Sequence, residues 1–235
     1  GSAESMNFED IYQVSPWQQM AWDLDIDVND EQPASPRVYK THQRLSSINR
    51  GGKYIVTVRD PERTVISWYN FLKGKGVPPV LKCSTVSQFA FNRDFVVDTW
   101  RFGATLWEYY CEFWLCRHEP NVLVLVFEDL LSDLPAQIRR IARFMEVGPL
   151  DNETVDRITA KCSKAFMMKH ASKFGESRAF VKMQQVGRIK DHSSYEPSPR
   201  VTAGHKDELN SRARAFFDSQ WKTHVLPQTG CASYT

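Results

Sequence analysis

Two short apolar runs constrain the fold of this chain more than any other feature. Lys53 to Val58 (KYIVTV) and Val122 to Phe127 (VLVLVF) are rich in β-branched residues, and Gly51-Gly52 and Pro120-Asn121 bound their starts. Runs of this length and composition read as strands covered on both faces, the habit of parallel sheets. Arg37 to Thr41 (RVYKT) is a third, weaker candidate. A helical pattern follows each main run. After the first, Asp60 offers a capping carboxylate and Pro61 takes the first helical position; apolar spacing then runs through Val65, Ile66, Trp68, Tyr69 and Leu72 until Gly74. After the second, one helix is expected from Glu128 to Val147, with Ile138, Ile141, Ala142 and Met145 at helical spacing. Between the strands, Val97 to Cys116 reads as a long aromatic helix whose rings serve packing. Further helices are expected at Asn152 to Lys161 and Lys206 to Trp221, with Ser172 to Thr202 a long ordered loop or lid between them. Alternating strand and helix predicts an α/β fold: a single domain over residues 1–235, with a central parallel sheet flanked by helices. Ligands are then expected at the carboxyl ends of the strands.

Composition narrows the function. With 235 residues, 42% hydrophobic and 25% charged, the chain can bury one sizeable core and lacks the marks of disorder. A net charge of +2, with acids and bases interleaved, argues against nucleic acid as a partner. No apolar run reaches membrane-spanning length, so no membrane partner is expected. The five cysteines are odd in number and lack CxxC spacing, which argues against a disulfide framework and a zinc ribbon and suggests a reducing cytoplasm.

Three groups could carry chemistry. In Pro36-Arg37-Val38-Tyr39-Lys40-Thr41-His42, an ammonium and an imidazole stand two positions apart at a strand end and project the same way. The imidazole can take a proton from an attacking hydroxyl, and the ammonium can stabilise growing oxyanion charge. A purely structural histidine fits the same pattern. In Val58-Arg59-Asp60-Pro61, a guanidinium at a strand's carboxyl end beside a helix N-terminus is a natural phosphate site, with Ser67 two helical turns further on. Arg59 could equally pair with Asp60 or a nearby acid on the surface. Pro199 to Lys206 sets bases and Gly204 before a helix, either as a second phosphate site or as a solvated loop.

Taken in order, these segments resemble the cytosolic-type sulfotransferases that use 3′-phosphoadenosine 5′-phosphosulfate (PAPS), most closely a bacterial-like branch. "PWQQMAWDLD" (16–25) is similar to the family's substrate-side segment and "PRVYKTH" (36–42) to its catalytic strand. "KYIVTVRDPERTVISWYNFL" (53–72) resembles its 3′-phosphate-binding strand and helix, and "NVLVLVFEDLLSDLPAQIRRIARFM" (121–145) the strand and helix that follow. "CSKAFMMKHASKF" (162–174) and the ending "W…VLPQTGCASY" (221–234) also resemble that branch.

The resemblance implies an arrangement like that of P-loop NTPases, and sulfonate transfer from PAPS to a hydroxyl or amine of a small-molecule acceptor, with no metal. His42 would be the general base and Lys40 a transition-state contact. Arg59 and Ser67 would hold the 3′-phosphate of PAPS or of its product PAP (adenosine 3′,5′-bisphosphate), and Ser163 would lie near the adenine. Phe127 stands where animal members usually carry a tyrosine that reaches the nucleotide, and Lys164 where an aromatic residue commonly faces the adenine. Arg200 and Gly204 fit the family's C-terminal basic-glycine signature only with a one-residue deletion. Trp17, Met20 and Trp22 suggest an apolar acceptor pocket. A homodimer stays open, although the family's dimer motif is not recognisable. The family's phosphosulfate-wrapping loop, Pro-Lys-Ser/Ala-Gly-Thr-Thr-Trp, has no counterpart here, so these residues alone are expected to bind PAP weakly and to transfer no sulfonate. A catalytically inactive nucleotide-binding or partner-binding remnant of the fold is the alternative. A P-loop phosphotransferase ranks last, because no Walker loop is present.

Overall fold

The structure, a computed structural model, describes residues 8, 10–33, 35–74, 82–97, 104–174, 181–182, 184–185 and 208–234. Arg200, Gly204, most of the 172–202 loop and the start of the helix expected from Lys206 lie outside the described residues. By its contacts the chain divides into two compact units, residues 43–137 with 204–235 and residues 1–42 with 138–203.

The first unit holds the sheet. Strands β1 (Tyr54–Val58) and β2 (Val122–Val126) pair in parallel, in register from Tyr54 opposite Val122 to Val58 opposite Val126. β2 is buried on both faces, as its unbroken apolar run requires. β1 departs from the expectation: it alternates, with Ile55 43% exposed and Thr57 also exposed, while Tyr54, Val56 and Val58 are half-buried. The polar Lys53 and Thr57 already carry that period of two.

Helix α1 (Pro61–Gly74) follows β1 with the bounds its sequence signals predict. The Asp60 carboxylate accepts from the Arg63 amide at 2.8 Å, and Val65, Ile66, Tyr69 and Leu72 form the buried stripe. Short helix α2 (Val86–Phe89) is capped by Thr85. The aromatic helix α3 (Leu106–Leu115) begins nine residues later than expected, where Thr105 and Glu108 close a reciprocal capping box and set its start. Helices α4 (Phe127–Ser132) and α5 (Leu134–Met145) replace the single helix expected from Glu128 to Val147. The break falls at Asp133, whose carboxylate accepts from the Ala136 amide at 3.0 Å and so caps a new helix.

The core joins distant segments. Stripe residues of α1 pack with Phe89, Trp107 and Tyr110, and with Phe217, Trp221 and Val225 from the chain's end. Burying a large apolar side chain of this kind stabilises by about 1.5–3 kcal/mol. A second cluster joins Leu45, Phe113, Val122 and Val124 beneath the sheet.

In the other unit, Arg37 to Thr41 forms no strand. Lys40 makes one parallel bridge with Trp17, and pairing stops because the chain turns at once, the Met20 amide bonding back to the Trp17 carbonyl at 2.9 Å. The division between units falls within α5. Beyond it come α6 (Asn152–Lys161), as expected, α7 (Lys164–Lys169) and α8 (Ala171–Phe174). The sheet-bearing unit then closes with α9 (Ser211–Gln220), a wide turn at Trp221–Val225 and α10 (Leu226–Thr229).

Candidate active site

Beyond the last ladder pair, Val58 and Val126, the two strands stay in step through their side chains. The Arg59 guanidinium lies over the Phe127 ring, 4.6 Å from its centroid. One position on, the Asp60 amide donates to Glu128 Oε1 at 3.2 Å. The other carboxylate oxygen of Glu128 accepts from the Tyr234 hydroxyl at 2.8 Å. Tyr234 packs edge-on against Tyr110 and Trp221. The Tyr110 hydroxyl bonds the Arg59 backbone and the Thr64 hydroxyl, and burial pushes its pKa up despite them. Tyr234 is pushed up by burial first and then by its bond to Glu128, so it stays a neutral donor.

Hydrogen-bond accounting shows what this corner can hold. Asp60 directs its amide to Glu128 and its carboxylate to Arg63; Pro61 has no N–H. Glu62 lies 3.6 Å from Arg214. The helix N-terminus therefore offers an anion the Glu62 amide and its dipole. Arg59 differs: its Nε is buried and has no hydrogen-bond partner among the described residues. Pairing of Arg59 with Asp60, the alternative open from sequence, is not what forms. An unpartnered buried donor is costly, about 1–3 kcal/mol, unless a ligand completes it. With one face on an aromatic ring and its edge free, a guanidinium fits a phosphate bidentately. Ser67 is half-buried in the second turn of α1.

The other unit brings Lys40, His42 and Trp17 together. The Lys40 ammonium sits 4.0 Å from the Trp17 ring centroid, and the His42 ring centre lies 4.7 Å from it. Two residues spaced by two thus meet one tryptophan. Gln19 locks the arrangement: its Oε1 accepts from the Trp17 indole N–H at 2.7 Å and the His42 amide at 3.2 Å, while its Nε2 donates to the Thr41 hydroxyl at 2.7 Å. Trp17 and Met20 are half-buried, and Trp22 is 86% exposed. Ser163 caps α7, its hydroxyl accepting from the Phe166 amide at 3.2 Å.

Sequence reasoning named Arg59, Phe127, Lys40 and His42 but missed Glu128, Tyr234, Tyr110 and Gln19. Glu128 was within reach, since extending the strand register by two positions sets it opposite Asp60. For Tyr234 no local signal exists. Among the described residues, no group of three or more His, Cys, Asp or Glu could hold a metal ion, and no helix is long and apolar enough to cross a membrane.

Fold and site together define an α/β protein with a buried, unpartnered arginine Nε at the carboxyl end of a parallel strand. The model of the sulfotransferase domain matches residues 2–221, and the chain belongs to that family. It is 27% identical over 180 residues to sulfotransferase 6B1 of Danio rerio, covering 71% of this chain and 56% of that protein. It is 31% identical over 133 residues to human sulfotransferase 4A1, covering 54% and 45%. The chain thus spans about half the length of the curated relatives it matches. Among solved structures, it is similar to mouse sulfotransferase SULT7A1 complexed with PAP (TM-score 0.56, 15% identity, 80% of this chain and 64% of that one). It is also similar to retinol dehydratase in complex with androsterone and PAP (TM-score 0.52, 22% identity, 85% and 54%). At these identities the structures show the fold alone.

Proposed function

We propose that this chain works as a PAPS-dependent sulfotransferase, moving a sulfonate group to a hydroxyl or amine of a small-molecule acceptor. The observation that carries the proposal is Arg59, stacked on Phe127 with a buried Nε free for a phosphate oxygen. The family match runs across both compact units, which supports reading them as one sulfotransferase domain.

When bound, PAPS supplies the sulfonate and a phosphate leaving group. Arg59, with Ser67, holds the 3′-phosphate; Ser163, Arg200 and Gly204 are further candidates for the nucleotide. His42 takes the acceptor's proton as the acceptor oxygen or nitrogen forms its bond to sulfur and the sulfur–oxygen bond to the leaving phosphate breaks. Lys40 offers positive charge to the oxygens that gain negative charge. The Trp17 ring and Gln19 hold His42 and Lys40 in place, and Trp17, Met20 and Trp22 are candidates to line the acceptor site.

Arg59→Ala tests the phosphate site. Calorimetry should show PAP affinity reduced by about 2–3 kcal/mol, the scale of a lost charge-assisted bond. An unchanged dissociation constant would sink the assignment. Binding of PAP with no sulfonate transfer from PAPS to a phenol or amine panel, even in a protein that also carries the family's phosphosulfate-wrapping loop, would favour a catalytically inactive nucleotide-binding protein of this fold instead.

A further inference from the structure

Glu128 and Tyr234 are absorbed by no step of the chemistry above, yet they meet the turn that carries Arg59. We infer that Glu128, held by Tyr234, is a positioning residue for Arg59 in phosphate binding, an inference that rests on the phosphate-site reading. The ladder between β1 and β2 ends at Val58 and Val126, just before the turn carrying Arg59. Past that point, side chains replace backbone pairing: Arg59 on the Phe127 ring at 4.6 Å, then the Asp60 amide on Glu128 at 3.2 Å. Phe127 and Glu128 are consecutive, so the bond to Glu128 fixes the height at which the guanidinium meets its ring. A carboxylate has several rotamers and would not hold one pose unaided. The Tyr234 hydroxyl, 2.8 Å from Glu128 Oε2 and braced edge-on by Tyr110 and Trp221, selects the pose that reaches Asp60. Tyr110 also holds this turn, through the Arg59 backbone. The last residues of the chain thereby set the geometry of an arginine 175 positions earlier.

Charge and geometry make opposite demands on Glu128, which makes the proposal testable. A carboxylate near a phosphate site repels the ligand, so removal of charge alone should tighten binding. Removal of the hydrogen bonds should loosen it. PAP affinity is measured by calorimetry for the wild type, Glu128→Gln, Glu128→Ala and Tyr234→Phe, each also combined with Arg59→Lys, and thermal melting checks folding. Glu128→Gln retains an acceptor for Asp60 and should bind PAP at least as well as the wild type. Glu128→Ala should weaken binding about tenfold and Tyr234→Phe about three- to tenfold, with melting temperature little changed for Tyr234→Phe. In the Arg59→Lys background both losses should shrink toward none, because an effect exerted through Arg59 vanishes with it. Equal losses in both backgrounds, or tighter binding by Glu128→Ala, would overturn the positioning role while leaving the phosphate site intact. If Glu128→Ala does not fold, Tyr234→Phe, which removes a single oxygen, decides alone. A wild type indifferent to PAP, with Arg59→Ala no different, overturns both the site and this proposal.

Discussion

Single side chains carry the chemistry of this protein, and two of them yield separable outcomes. In a protein that also carries the family's phosphosulfate-wrapping loop, His42→Ala should lower turnover with PAPS and a phenol by about two to four orders of magnitude and leave PAP affinity nearly intact, since its ring meets Trp17 and its amide Gln19. Wild-type turnover at saturating acceptor would remove His42 from the mechanism. Phe127→Leu keeps an apolar side chain but removes the π face under Arg59. PAP binding should weaken by about 0.5–1 kcal/mol, and Phe127→Tyr should retain it. His42 was named from the end of an expected strand that does not form, and Phe127 from the family resemblance rather than from local pattern. Glu128 follows from extending the strand register, but Tyr234 does not, since it lies 106 residues from Glu128 and no periodicity links the two.

At the scale of elements, legibility followed the strength of local signals. Helix α1 was predictable because a capping acid, a proline, an apolar stripe and a glycine all agree. Helix α3 was placed too early because its aromatic spacing outweighed Thr105 and Glu108, whose side chains fix its start. The helix after β2 was read through Asp133 because apolar spacing resumes beyond it, while the carboxylate that caps the second helix breaks the first. Helix α3 also ties down the segment before β1. Arg44 Nε lies 2.6 Å from Glu112 Oε2, and the Ser46 amide donates to Glu112 Oε1 at 2.7 Å. Burial pushes the Glu112 carboxyl up, but Arg44 and Ser46 together outweigh it and hold the pKa below its ordinary 4.5. This tie therefore stabilises the fold above about pH 4.5 and is lost as pH falls through the lowered value. Glu112→Gln should cost about 1–2 kcal/mol near pH 7. Melting curves of mutant and wild type from pH 7 to pH 3 should converge in the acid range; a gap constant with pH would remove the ionised carboxylate from the account.

At the scale of the molecule, one open feature among the described residues is the outer face of β1. Ile55 is 43% exposed between exposed Lys53 and Thr57, on a strand paired only with β2 among the described residues. An apolar residue on an open strand invites pairing between copies. Ile55→Thr keeps β propensity and should change stability by no more than about 0.5 kcal/mol while slowing aggregation on warming. Light scattering alongside thermal melting checks both halves of the claim. A faster-aggregating Ile55→Thr variant would place the liability elsewhere.

The interleaving of the core has a consequence during synthesis on the ribosome. The apolar stripes of α1 and α3 close against Phe217, Trp221 and Val225, which are translated about 150 residues after α1 and about a hundred after α3. Elongation at about 5–20 residues per second leaves those stripes open for about 5–30 s, while the intervening segment of the other unit is still being made. A nascent chain in that state is a natural client for chaperones, and slow codons between residues 115 and 209 would lengthen its exposure.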